Sequence, residues 1–327
     1  MQAPERLGLG RATDVGTWEF SFSLCYPLNT VPIDQNLMRL FTIESHAWDD
    51  VHPASVTDAA TDALESGGII VFPNLRFELK PPELTFLDPA SVHGAKNVSF
   101  NPATGRVGGT QAQGAALEEL RGLLDRFSRT AGALVRHVLP SYASAIEHGR
   151  GSLRPVEIAG RASSWRADDT RLHVDAFPSM PMRGKRILRV FSNINPSGQA
   201  RIWKIGGSFD EVARRFRPSL RAPVPGSHLG MYLVRMTKDV RAPYDHYMLQ
   251  LHDRMKADGD YQGQRDHVVH SFPAGSTWMV YTDQVPHAAL SGIHQLEQTF
   301  YVPVSSLRNE RSAPLRVLEH LMGRKLA

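Results

Sequence analysis

Residues 171–179 read RLHVDAFPS and set His173 and Asp175 one residue apart. The chain has 14 histidines and 33 acidic residues among 327. Roughly one or two His-x-acid pairs are therefore expected by chance, and this pair must be judged by its surroundings. On an extended strand, residues two apart share a face, so both side chains can reach one ion. Two histidines and a carboxylate on one side of a metal leave coordination positions open, a donor set that suits Fe(II) and oxygen chemistry. The third donor should come from a later strand of the same β-structure. His287, in DQVPHAALSG, follows the apolar run TWMVYTD and opens another short run; Pro286 stiffens the approach and Gly292 closes the turn. A histidine at a strand start is ordinarily structural, so this reading rests on the flanks rather than on residue type.

The elements that must position these residues are many and short. From residue 170 onward, apolar or alternating runs recur at 186–195, 200–205, 230–236, 267–272, 277–283, 286–290 and 298–304, with turn signals NPSG, PAGS and LSG between them. Closely spaced strands of this kind predict a sandwich or barrel. A helix-like insertion, about Tyr244 to Lys256, interrupts the series. Upstream, residues 55–68 predict a helix capped by Ser55 and ended by Gly67 and Gly68, followed by a buried strand, IIVFPNL. Residues 116–139 predict the longest helix, because Leu117, Leu120, Leu124, Phe127, Ala131, Leu134 and Val138 fall on one face. The expected architecture is one α+β domain over residues 1–327. An irregular segment to about 50 leads into a helix-rich support to about 160, a β-core over about 161–306 and a C-terminal helix from about 307.

Composition removes several classes. The single cysteine, Cys25, excludes a disulfide framework and a Cys-rich zinc site, and fits a reducing compartment. No run of 18 apolar residues exists, and the opening MQAPERLGLGRATD is too polar for a secretory signal. A cytoplasmic location is expected. The net charge of +4 permits an anionic partner. There is no basic run of five, no zinc-finger spacing and no Walker loop, so nucleic acid is not an expected partner.

Two segments carry a specific resemblance. FPAGSTWMVYTDQVPHAAL resembles the distal-histidine region of the Fe(II)/2-oxoglutarate dioxygenases. SSWRADDTRLHVDAFPSMPMRGKRILRVFSNINPSGQARIWKIG is similar to one branch of them, the 3-deoxy-D-manno-oct-2-ulosonic acid (Kdo) 3-hydroxylases, and the likeness spans about residues 50–320. The resemblance implies a double-stranded β-helix (jelly-roll) core with a helical N-terminal half packed against it. It implies Fe(II) held by His173, Asp175 and His287, with 2-oxoglutarate as cosubstrate and O2 as oxidant. The reaction would be hydroxylation of Kdo at C3 in Kdo-lipid A, with release of succinate and CO2.

The chain departs from the wider superfamily at one point. Many members carry an arginine about ten residues after the distal histidine, to hold the far carboxylate of 2-oxoglutarate. Here that position is Gln298, and no Arg or Lys occurs between His287 and Arg308. Arg201, after NPSGQA, is the nearest replacement. Arg189 is the next, with Asn193 on the same face of its strand, and Thr170 matches a hydroxyl used in this role by some members. An arginine suits the task because its fork grips a carboxylate at two points; on a β-core it is otherwise an ion-pair partner or a surface charge. The missing arginine keeps open a dioxygenase acting on a soluble small molecule, and a cupin-type metal-binding protein without dioxygenase activity.

A lipid-linked substrate would bring the protein to the cytoplasmic face of the inner membrane. Two segments could make peripheral contact. The tail LRNERSAPLRVLEHLMGRKLA places Leu315, Leu318 and Met322 at helical spacing among basic residues, and the loop PMRGKR carries Arg183, Lys185 and Arg186. A C-terminal helix docked on the protein's own core is the competing reading of the tail. His246, His252, His267, His270 and His294 receive no role.

Overall fold

A computed structural model describes residues 40–92, 96–160 and 163–327. In chain order the strands and helices are β1 (Leu40–Thr42), α1 (Ala54–Glu65), β2 (Ile69–Phe72), β3 (Val98–Asn101), β4 (Arg106–Gly108), α2 (Gly114–Val138) and β5 (Glu147–Arg154). Then follow β6 (Arg186–Asn193), β7 (Arg201–Ile205), α3 (Phe209–Phe216), α4 (Ser227–Leu233), α5 (Pro243–Ala257) and α6 (Gly259–Gln262). The chain closes with β8 (Val268–Phe272), β9 (Thr277–Tyr281), β10 (His287–Ser291), β11 (Gln295–Val302) and α7 (Pro314–Met322).

These strands build two sheets. The large one has the order β1-β2-β9-β6-β11-β5-β3-β4, and the small one β10-β7-β8. Pairing around the centre is antiparallel, β6 lying between β9 and β11. Alternation along these strands separates two interiors. Leu188 and Val190 of β6, with Phe300 and Val302 of β11, face a core shared with α2, α5 and α7. Phe191 of β6 and Trp278 of β9 face the other way, onto Trp203 and Phe272 of the small sheet. The Phe272 and Trp278 rings stack at 4.1 Å. Fully burying one side chain such as Phe272 contributes about 1.5–3 kcal/mol. The two sheets with helices on one outer face form the expected jelly-roll core.

The N-terminal half is less helical than the sequence suggests. β1 to β5 all join the large sheet, so the segment expected to be a helical support also supplies strands. Even Leu40–Thr42, inside the part expected to be irregular, pairs with β2; residues 1–39 of that part lie outside the described residues. α1 begins at Ala54 behind Pro53 with no side-chain cap, so Ser55 sits within the first turn rather than capping it. Proline's fixed φ makes it a good leader into a helix. The expected strand at 230–236 is instead largely α4. A short apolar run does not by itself distinguish strand from helix, and here no sheet neighbour selects the extended form: Tyr232 to Met236 stay exposed.

Candidate metal centre

His173 and His287 meet because their backbones pair. The N–H of His173 donates to the carbonyl of His287 at 3.1 Å, and the N–H of His287 returns the bond at 2.9 Å. Their ring centres lie 4.8 Å apart. Asp175, two residues on, is fixed by its own N–H donating to the carbonyl of Thr282 at 2.8 Å. One donor atom from each of the three residues lies within 4.8 Å of the others.

The tautomers suit a metal. The Nδ1 of His173 sits 2.8 Å from the carbonyl of Arg171, and that of His287 sits 2.9 Å from the carbonyl of Val285. A carbonyl only accepts, so each Nδ1 carries the hydrogen and each Nε2 offers its lone pair. Burial pushes the pKa of both rings down; His287 adds to the effect on His173. Both rings are therefore neutral, as ligation requires. Burial alone would raise the Asp175 carboxyl, but the Arg189 guanidinium beside it leads the opposing influences, and the group is held well below the ordinary carboxylate range. This donor set fits a divalent transition metal with open positions.

The centre opens into a cavity of about 260 Å³ between the two sheets. The Trp203 ring stacks on His287 at 5.1 Å, and His252 of α5 stands edge-on to His173 at 5.3 Å. Six cationic side chains line the cavity (Lys96, Arg154, Arg166, Arg189, Arg201 and Lys256), against three carboxylates, Asp169, Asp175 and Glu297.

Those cations are not equivalent. On the large sheet, Arg189 reaches Asp175 Oδ2 at 2.7 Å through one terminal nitrogen and Glu297 through the other. Arg154 grips the second oxygen of Glu297 at 2.8 Å. On the small sheet, Arg201 is 2% exposed and makes no ion pair among the described residues. One Nη donates to the carbonyl of Gly292 at 2.7 Å, and its Nε has no partner. Burial and the neighbouring Arg154 push its pKa down to about 9. The buried Nε1 of Trp203, two residues along β7, is likewise unpartnered. Gly292 makes room for this arrangement: its φ is +115°, and a Cβ there would lie 2.8 Å from Arg201 Cδ.

Of the residues singled out from sequence, the structure brings His173, Asp175, His287, Arg189 and Arg201 to the cavity, and leaves Gln298, Asn193 and Thr170 off its lining. Glu297 points into the cavity, so its neighbour Gln298 faces the opposite side of β11, where its Nε2 donates to the carbonyls of Gly149 and Thr299. Asn193 shares a face with Arg189 but donates to the carbonyls of Gln199 and Phe272. Thr170 donates its hydroxyl to Asp168 at 2.7 Å. Sequence reasoning missed Lys96, Arg154, Asp169, Trp203, His252, Lys256 and Glu297. Two signals were available: Gln295 and Glu297 alternate on a core strand, and Lys256 follows His252 by one helical turn.

A family model described as 3-deoxy-D-manno-oct-2-ulosonic acid (Kdo) hydroxylase matches residues 47–325. The chain is similar to a crystal structure of the Kdo hydroxylase KdoO, a non-heme Fe(II) α-ketoglutarate-dependent dioxygenase, in complex with α-ketoglutarate and Fe(III). Identity is 44%, with a TM-score of 0.86, covering 88% of this chain and 97% of that one. A cobalt(II) complex of KdoO is similar at 45% identity and a TM-score of 0.87, with the same coverage. No curated protein matches the chain.

Proposed function

Because the chain belongs to the Kdo hydroxylase family, we propose that it is an Fe(II)- and 2-oxoglutarate-dependent dioxygenase that hydroxylates Kdo, at C3, in Kdo-lipid A. The observation that carries this reading is the His173, Asp175 and His287 triad, with both histidine tautomers set for ligation. These three residues would hold the iron. Bound iron with its cosubstrate and O2 supplies the oxidation, which yields hydroxylated sugar, succinate and CO2.

The chain's own residues divide the remaining work. Arg201 and the Nε1 of Trp203, buried side by side on β7 with unused donors, receive the far carboxylate of 2-oxoglutarate. An Arg fork in a dry site binds a carboxylate strongly. Arg189 holds the outer oxygen of Asp175, so the inner one stays aimed at the metal. Divalent iron and doubly charged 2-oxoglutarate cancel, so the cavity keeps its surplus of cations for an acidic sugar. Lys256 suits that role. It is 2% exposed, and its ammonium donates to the carbonyl of Arg166 at 2.9 Å with further N–H groups to spare. No described helix is long and apolar enough to cross a membrane, so contact with a lipid-linked substrate would be peripheral.

The test is reconstitution with Fe(II) under anaerobic conditions, followed by addition of 2-oxoglutarate and O2. Succinate should form in step with a product 16 mass units heavier than Kdo-lipid A, a gain of one oxygen atom per turnover. Succinate released at the same rate without the acidic sugar would overturn the substrate assignment.

A further inference from the structure

Of the two readings of the tail, the structure takes the docked one. Leu315 and Leu318 of α7 are buried in the helix-side core, Leu326 is 1% exposed, and Arg316 pairs with Glu310 and Glu319. The PMRGKR loop is also committed: Arg183 pairs with Asp239, Lys185 with Glu147, and Arg186 is wholly buried against Asp283. Exposed apolar side chains concentrate instead in one stretch of the chain. Val224, Leu233, Val234 and Met236 are each at least 65% exposed, and Tyr232 is 43% exposed. All lie within the excursion between β7 and β8 that contains α4. Other large exposed hydrophobics (Val51, Leu84 and Val269) are far apart in sequence. Single exposed apolar residues are ordinary, whereas a cluster marks an interaction surface.

The charge around the cluster identifies the occupant. Residues 217–241 carry Arg217, Arg221, Arg235, Lys238 and Arg241 against one acid, Asp239, and that acid already faces Arg183. Apolar side chains interspersed with cations along one exposed segment match a bilayer surface with anionic headgroups, where the apolar groups enter the acyl boundary and the cations meet phosphate. The segment is also tied to the metal centre's own loop. The N–H of Lys238 donates to the carbonyl of Ser179 at 2.9 Å, and Arg241 donates to the carbonyl of Pro178, just beyond Asp175.

We infer that Val224 and Tyr232–Met236, with the basic residues around them, form the surface by which the protein docks on an anionic membrane. This rests on the reading of a lipid-linked substrate and deepens it. The full chain is sedimented with vesicles of phosphatidylcholine alone or with phosphatidylglycerol, at low and high salt. Wild type should bind only the anionic vesicles, and less in high salt. Leu233→Asp combined with Val234→Asp should weaken that binding about tenfold or more, since two charges must enter apolar lipid. The melting temperature should be unchanged, as both side chains are exposed. Lys325→Glu, on the tail, should bind like wild type.

Vesicle binding by the double variant equal to wild type overturns the surface. So does absence of wild-type binding to anionic vesicles, or a wild-type dimer that the double variant breaks, which would make a second copy the occupant. Succinate formation on Kdo-lipid A dispersed in detergent separates the two claims. If wild type has no such activity while the vesicle result holds, the substrate reading fails and the docking surface stands.

Discussion

The two walls of the metal cavity handle positive charge in opposite ways. On the large sheet, Arg189 and Arg154 are spent on carboxylates, and Glu297 bridges them, so a closed chain of ion pairs runs from Asp175 to Arg154. On the small sheet, Arg201 is as deeply buried but has only a backbone carbonyl. A buried cation without a counter-charge is costly to keep. The paired wall therefore reads as architecture for the metal ligand, and the unpaired wall as a site for an anion that arrives with the reaction. From sequence Arg201 and Arg189 were first and second candidates for one task; their partners separate them.

The largest expected effect belongs to neither wall but to the centre between them. His287→Ala or Asp175→Ala should cut iron affinity by well over about 100-fold, the upper end of what losing a mere outer partner costs, and remove turnover. Iron stoichiometry after anaerobic dialysis reads this directly. Next comes the unpaired wall. Arg201→Ala should raise the KM for 2-oxoglutarate about 100-fold, the loss expected when a buried charge pair loses one member, while iron uptake stays at the wild-type level.

On the paired wall, Arg189→Ala strands both Asp175 and Glu297. Breaking a buried pair in this way costs about 3–5 kcal/mol, so the melting temperature should drop and iron affinity should fall with it. A variant with unchanged melting temperature and loss confined to 2-oxoglutarate would erase the distinction between the walls. Gly292→Ala sharpens it further: strain at the positive φ and the crowding of Arg201 should raise the KM for 2-oxoglutarate by about tenfold, for a distortion of about 1–3 kcal/mol.

The smallest effect is on pH dependence. Burial depresses His173, His287 and His252, so the fold favours their neutral forms. For depressed groups the contribution is fully present above the unfolded value, about 6.5, and is lost as pH falls below it. Asp169, brought down to about 2 by Arg154 and Lys96 against the opposing effect of burial, adds a second loss in the carboxylate range below about pH 4. Thermal melts of the metal-free protein should therefore decline in two steps on acidification; one step confined to low pH would contradict the neutral, buried histidines.

What could be read from sequence followed from periodicity and local spacing. The His-x-Asp pair was legible from its spacing, although the segment is not a strand: His173 makes an isolated bridge to His287, and Asp175 is set by its backbone bond to Thr282; α2 and α5 show the three- and four-residue steps of one buried side. Of the N-terminal strands only β2 was legible, as IIVFPNL: β1, β3 and β4 are only three or four residues long, too short to display alternation, and β5 (EHGRGSLR) has Leu153 as its single aliphatic side chain. The run at 230–236 misled because apolar residues there serve a surface rather than a sheet. Arg154, Glu297 and Lys256 meet in the cavity from positions roughly 100 residues or more apart in some pairs, and only the stacking of two sheets brings them together. Gln298 marked where the usual anchor was missing, yet its parity on β11 turns it away from the cavity.

The most direct measurement compares iron and 2-oxoglutarate binding, under anaerobic conditions, for wild type, His287→Ala and Arg201→Ala. Wild type should hold one iron per chain and bind the cosubstrate. His287→Ala should lose the iron, and Arg201→Ala should keep the iron and lose the cosubstrate. Full iron occupancy in His287→Ala, or wild-type 2-oxoglutarate affinity in Arg201→Ala, would contradict the division between metal centre and anion site.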